Sequence, residues 1–122
     1  MKRHLTHDEL QKAALKLAIQ LHGIAVSKGP LVLYPIPRGG VPAAYLVLKA
    51  YEEIYQDSRK PPIVLTDNPV QADGYIDDLV DSGKTAERYR QQYGQKHFFA
   101  LITKTEDGSS GYKLGEWLVF PW

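Results

Sequence analysis

Cysteine is missing from this chain of 122 residues. That excludes disulfides and thiolate metal sites, and it fits a reducing compartment. Excess charge is missing too. Fifteen basic side chains face fourteen acidic ones, for a net charge of +1. Bulk attraction to nucleic acid or to an anionic membrane is therefore not expected, and charge must act locally. No apolar run reaches the roughly 18 residues of a membrane span. The start, "MKRHLTHDEL", has no apolar core of the signal-peptide kind and reads as a solvated basic end. A cytoplasmic location is expected. The four histidines show no paired metal-ligand spacing. Internal repeats and low-complexity tracts are also lacking, so one domain over 1–122 is expected.

What is present alternates. Thr6 with Glu9 forms a capping-box pattern that opens a helix. Leu10, Ala14, Leu17, Ala18 and Leu21 follow at helical spacing, with Gly23 as the expected stop. Leu31 to Tyr34 reads as a buried strand between prolines. Gly39-Gly40 makes a turn, and Pro42 suits the first turn of a second helix through "AAYLVLKAYEEIY". A strand is predicted around Ile63 to Thr66, then the loop "NPVQADG", then a short strand at Tyr75-Ile76. "TAERYRQQY" is a helix closed by Gly94. "HFFALIT" and "EWLVF" are strands, with the loop "EDGSSGYKLG" between them. Strands alternating with helices predict an α/β domain with a mostly parallel twisted sheet. Ligands in such sheets sit where strands end and helices begin.

Two loops carry suitable chemistry for that place. The stretch "YIDDLVDSGKTAER" sets Asp77, Asp78 and Asp81 directly before Ser82, Gly83, Lys84 and Thr85. A nucleotide-triphosphate P-loop needs glycine five residues before Gly83, where Asp78 stands, so that motif fails. A smaller anion site remains. Residues 82–85 lead into a helix whose N-terminal amides favour one phosphate monoester. The carboxylates then suit sugar hydroxyls or a hard divalent cation. A ribose 5-phosphate satisfies both halves, with Asp77 and Asp78 on the hydroxyls and Asp81 near the anomeric carbon. The plainer reading is a solvated acidic turn before an ordinary helix cap. The second loop, "PIPRGGVPAAYL", offers the planar donors of Arg38 and the open backbone of Gly39 and Gly40. Alone, it reads as a turn with a surface arginine.

"YIDDLVDSGKTAE" resembles the phosphoribosyl-pyrophosphate (PRPP) signature of type I phosphoribosyltransferases. The resemblance implies transfer of ribose 5-phosphate from PRPP to a nitrogenous base, with Mg²⁺ held at Asp77 and Asp78. It implies PRPP contacts at Asp77, Asp78, Ser82, Gly83, Lys84 and Thr85. Asp81 would act in proton transfer. Arg38, Gly39 and Gly40 are similar to the family's pyrophosphate loop, which makes the Pro37–Arg38 bond a candidate for a cis peptide.

"FFALITKTED" resembles the 6-oxopurine transferase strand that ends in a base-binding lysine, here Lys104. "EWLVFPW" is similar to those enzymes' tail, with Trp117 stacking on the base and the Leu118 backbone at the purine edge. Read without the resemblance, Lys104 is a solvated strand end and Trp117 a core residue. A homo-oligomer, dimer or tetramer, is the implied assembly.

The chain departs from that pattern in places. Arg38 and Asp77 lie close in sequence, so the mobile hairpin usual between the two motifs shrinks to "TDNPVQAD". Gly74 is unusual in the strand before the acids, and no acidic residue follows Trp122. Three readings stay open: a purine phosphoribosyltransferase, a non-catalytic PRPP or nucleotide-binding regulator, and transfer to another base or PRPP hydrolysis.

Overall fold

The computed structural model describes residues 2–122. Chain order is β1 (Lys2–His4), α1 (His7–Lys28), β2 (Leu31–Pro35), α2 (Gly40–Ile54), β3 (Ile63–Leu65), β4 (Gly74–Val80), α3 (Lys84–Tyr93), β5 (His97–Thr103) and β6 (Trp117–Val119). Four strands form a parallel sheet in the order β3-β2-β4-β5, and β1 pairs in parallel with β6. The α/β architecture with a parallel sheet is as predicted.

The capping box is present. Thr6 Oγ1 accepts from Glu9 N at 3.1 Å, and Glu9 Oε1 accepts from Thr6 N at 3.1 Å. The predicted helical stripe is the buried one, from Leu10 to Leu21. Each buried leucine contributes about 1.5–3 kcal/mol. The helix does not stop at Gly23. Nothing lies within 4 Å of where a Cβ would sit there. The buried stripe instead resumes at Ala25, and the helix ends at Gly29, whose φ of 98° is a glycine conformation.

Strand alternation sorts the sheet faces. Leu31, Leu33, Ile76, Phe99 and Leu101 join the core with α1 and α2. Tyr34 and Tyr75 are register partners on the opposite face, which α3 covers. Tyr75 Oη donates to the carbonyls of Tyr89 (3.3 Å) and Gly94 (2.9 Å), so this buried ring has its polar end satisfied.

Two further expectations change. Expected only at Tyr75-Ile76, β4 runs through both acids to Val80, because β5 pairs with it along that length. Gly74 fits this packing. A Cβ there would come within 3.0 Å of Phe99 Cε2 and 3.1 Å of His97 O. The basic start is also not free. Lys2–His4 pairs with Trp117–Val119, and Arg3 spans Glu9 Oε2 (2.7 Å), the Gly111 carbonyl (3.3 Å) and the Tyr112 ring.

Residues 66–73 contain no strand pair, so the expected hairpin is a plain connector. It is tied down at both ends. Thr66 N donates to Leu33 O (2.9 Å) and Asp73 N to Val32 O (2.7 Å). Asp73 Oδ2 accepts from Val32 N (2.8 Å), replacing a strand carbonyl. Between these ends, Lys96 Nζ donates to the carbonyls of Pro69 (2.6 Å) and Val70 (2.8 Å). Lys96 immediately precedes β5, so the connector is held toward the strands' N-terminal end. No helix among the described residues is long and apolar enough to cross a membrane.

Candidate active site

Parallel strands bring their C-terminal ends to one side. Val80 of β4 and Thr103 of β5 are register partners, and Lys104 N donates to Val80 O at 3.0 Å. Asp81 and Lys104 are the next residue on each strand. Their side chains meet, with Lys104 Nζ 3.5 Å from Asp81 Oδ2. Lys104 is not a solvated strand end. It is 8% exposed, and Nζ donates to the Glu116 carbonyl at 2.5 Å. Asp81 is open to solvent on its other side. Trp117 is not a core residue, since it stands 65% exposed at the start of β6.

Leu118 divides its roles. Its side chain is buried in the core. Leu5 N donates to Val119 O at 2.9 Å, so residue 119 faces β1. Alternation then turns the amide and carbonyl of Leu118 to the other edge of β6.

After Asp81 the chain turns on Gly83, whose φ of 80° requires glycine. Ser82 Oγ accepts from Lys84 N at 3.4 Å, and Glu87 N is bonded back to Gly83 O at 3.0 Å. The earlier amides of α3 lie ahead of the helical ladder, pointing out of its first turn. A hollow of about 220 Å³ is lined by Asp81 to Thr85 together with Asp78. A larger one, about 430 Å³ between α1 and β5, contains neither predicted loop. We place the site at the smaller hollow because the ordered chemistry lies there.

The two loops are in contact. The Pro37–Arg38 peptide is cis, as expected of that position, and Arg38 is exposed with no ion-pair partner among the described residues. Gly40 lies against β4, where a Cβ would come within 2.5 Å of Ile76 O. A Cβ on Gly39 would overlap the Asp78 carboxylate. Glycine at both positions lets the arginine loop lie directly on the acidic strand.

Burial pushes the Asp77 carboxyl up to about 7. The Asp78 amide, donating to Asp77 Oδ1 at 2.8 Å, pulls it down, and the neighbouring Asp78 charge adds to the rise. No lysine or arginine pairs with either acid among the described residues. No cluster of three metal-ligating side chains occurs there either. Two adjacent hard carboxylates without a cage suit Mg²⁺ delivered with substrate oxygens, its usual mode of binding. The donor set therefore fits Mg²⁺.

Sequence reasoning missed three contributors. Arg3 holds the 105–116 loop, whose end supplies Glu116. Tyr112 Oη donates to Glu9 Oε2 at 3.0 Å. Trp122 Nε1 donates to Asp78 Oδ2 at 3.3 Å. None belongs to a motif.

The parallel sheet and the two ordered loops are similar to those of purine phosphoribosyltransferases. Among particular proteins, the chain is 29% identical to the xanthine-guanine phosphoribosyltransferase of Roseobacter denitrificans, over 98% of this chain and 84% of the relative. That alignment spans 147 positions against 122 residues, so the relative carries segments this chain lacks. Two solved structures share the fold. A purine phosphoribosyltransferase from Pyrococcus horikoshii superposes with a TM-score of 0.59 at 20% identity, covering 99% of this chain and 93% of that one. The hypoxanthine phosphoribosyltransferase of Trypanosoma cruzi gives 0.63 at 15% identity, covering 94% and 78%. No family model matches the chain.

Proposed function

We propose that this protein transfers ribose 5-phosphate from PRPP to a 6-oxopurine, giving the nucleoside monophosphate and pyrophosphate. The observation that carries this reading is the Asp81–Lys104 pair: Asp81 leads directly into the 82–85 loop, and Lys104 bonds to the carbonyl of Glu116, the residue before the exposed Trp117. On this reading the pair supplies a proton-accepting carboxylate and a cationic donor, and Trp117 the flat aromatic platform. Similarity to xanthine-guanine phosphoribosyltransferases along 98% of the chain supports it.

The residues divide the work by charge. Ser82, Gly83, Lys84 and Thr85 hold the 5-phosphate at the start of α3. Asp77 and Asp78 hold the ribose hydroxyls and ligate the cation. When bound there, Mg²⁺ neutralises leaving-group charge. Arg38 adds bidentate donors to the pyrophosphate, with the Gly39 amide beside it, while the Gly40 amide is already bonded to the Ile36 carbonyl at 2.8 Å and serves only to pack the loop on β4. Trp117 stacks on the purine, the Leu118 backbone meets its edge, and Lys104 donates to the 6-oxygen. As the bond from the anomeric carbon to pyrophosphate breaks and the bond to the base nitrogen forms, Asp81 accepts the proton released from purine N7. Its charge also offsets the positive charge developing on the sugar. We assign a homo-oligomeric assembly on the same reading.

The test is direct. Incubation with Mg²⁺, PRPP and guanine, hypoxanthine, xanthine or adenine should yield nucleotide and pyrophosphate from the oxopurines. Asp81→Asn should lose turnover by roughly a hundredfold or more while still binding nucleotide. Tight nucleotide binding with no turnover by the unsubstituted chain would make it a receptor instead.

A further inference from the structure

Asp78 is held from three sides. Its backbone amide donates to Asp77 Oδ1. Its carboxylate fills the space that a Cβ on Gly39 would need. Its Oδ2 accepts from the indole N–H of Trp122 at 3.3 Å. Trp122 is itself braced, since its ring stacks on Phe120 at 5.3 Å between centroids, and Phe120 packs against the core. Phe120 directly follows β6, the strand that begins with Trp117. One short segment therefore presents its first aromatic ring to solvent beside the base position and uses its last to hold a sugar-side acid.

We propose that Trp122 is a positioning residue for PRPP: its indole N–H fixes the rotamer of Asp78 so that the remaining carboxylate oxygen faces the ribose. This rests on the transferase reading above. A carboxylate beside a glycine loop has room to turn away from a ligand. One donor on Oδ2 removes that freedom before substrate arrives, so less order must be imposed on binding. The same contact ties the sugar acid to the strand that carries the base platform.

The variant Trp122→Phe keeps an aromatic ring for the Phe120 stack and removes only the donor. We expect its KM for PRPP to rise about three- to tenfold, the range of one ordinary net hydrogen bond, since the indole acts on PRPP only through Asp78. The KM for guanine and the melting temperature should stay close to those of the unsubstituted protein. In an Asp78→Ala background the same substitution should add nothing, because the group it positions is gone. A merely structural tryptophan would instead lower the melting temperature and act equally in both backgrounds. An unchanged PRPP KM in Trp122→Phe overturns this proposal and leaves the transferase reading intact. Failure of the unsubstituted protein to bind PRPP in calorimetry overturns both.

Discussion

Lys104 shows how much one side chain's surroundings alter its meaning. An exposed lysine at a strand end contributes little, because water screens it. Here the stem is buried, and the ammonium lies between the Glu116 carbonyl and Asp81. Two acceptors direct the charge to one point, where a neutral carbonyl on a base can take the third N–H. Lys104→Met keeps the buried stem and removes the donor. It should lower kcat/KM for guanine and hypoxanthine by about 10- to 100-fold, corresponding to the roughly 1.5–3 kcal/mol of a charged hydrogen bond. Adenine, which has an amino group in place of the 6-oxygen, should be affected far less. Steady-state kinetics with each base decides this, and an equal loss for all would remove Lys104 from base recognition.

The connector between β3 and β4 belongs to the element scale. It has no secondary structure to organise it, so its order comes from a few bonds, above all those of Asp73. Burial raises that carboxyl's pKa. The Val32 amide and the Lys28 ammonium, 3.0 Å away, outweigh burial and hold it below the usual carboxylate range. Asp73→Ala would strand the Val32 amide and free the connector, at a cost of about 2 kcal/mol. Because the folded value is depressed, the stabilisation is complete above the unfolded value and fades as the pH falls through the folded one. Denaturant unfolding should therefore show the gap between Asp73→Ala and the unsubstituted chain closing below about pH 4. A gap independent of pH would mean that the carboxylate charge plays no part. This element also marks the limit of sequence reading. Helices with a stripe and a cap were legible, as in Thr6 to Leu21, because their period is local. The acidic loop was legible from Asp77 to Thr85 because its chemistry is contiguous. The pairing of Lys2–His4 with β6, the Arg3 hub and the Asp73 bond join residues far apart in the chain, and no period encodes them. The full length of β4 was hidden because acids and a glycine are poor strand formers. Pairing with β5 overrides that preference.

For the whole molecule, the open question of chemistry is water. A transferase that generates an oxocarbenium-like centre gains from a cover that excludes solvent until the base is in place. In this chain the segment expected to supply that cover is bonded elsewhere. Lys96 holds Pro69 and Val70 toward the opposite end of the sheet from Asp81, and Asp73 secures the return into β4. The bonds that order the connector also hold its middle, Pro69 and Val70, away from the loops. On the proposed reading, the hollow lined by Asp78 and residues 81–85 is then left without that cover. Such a site should let water compete with the purine. We therefore expect pyrophosphate release from PRPP and Mg²⁺ with no base present, at roughly a tenth of the rate with guanine or more, and ribose 5-phosphate as the second product. Added guanine should suppress ribose 5-phosphate in favour of nucleotide. If a second copy of the chain completes the enclosure, hydrolysis will fall as protein concentration rises through the association range, while transfer per chain rises. Hydrolysis that is undetectable at every protein concentration would show that the site is sealed by the single chain, and that the bonds fixing residues 66–73 give way when PRPP binds.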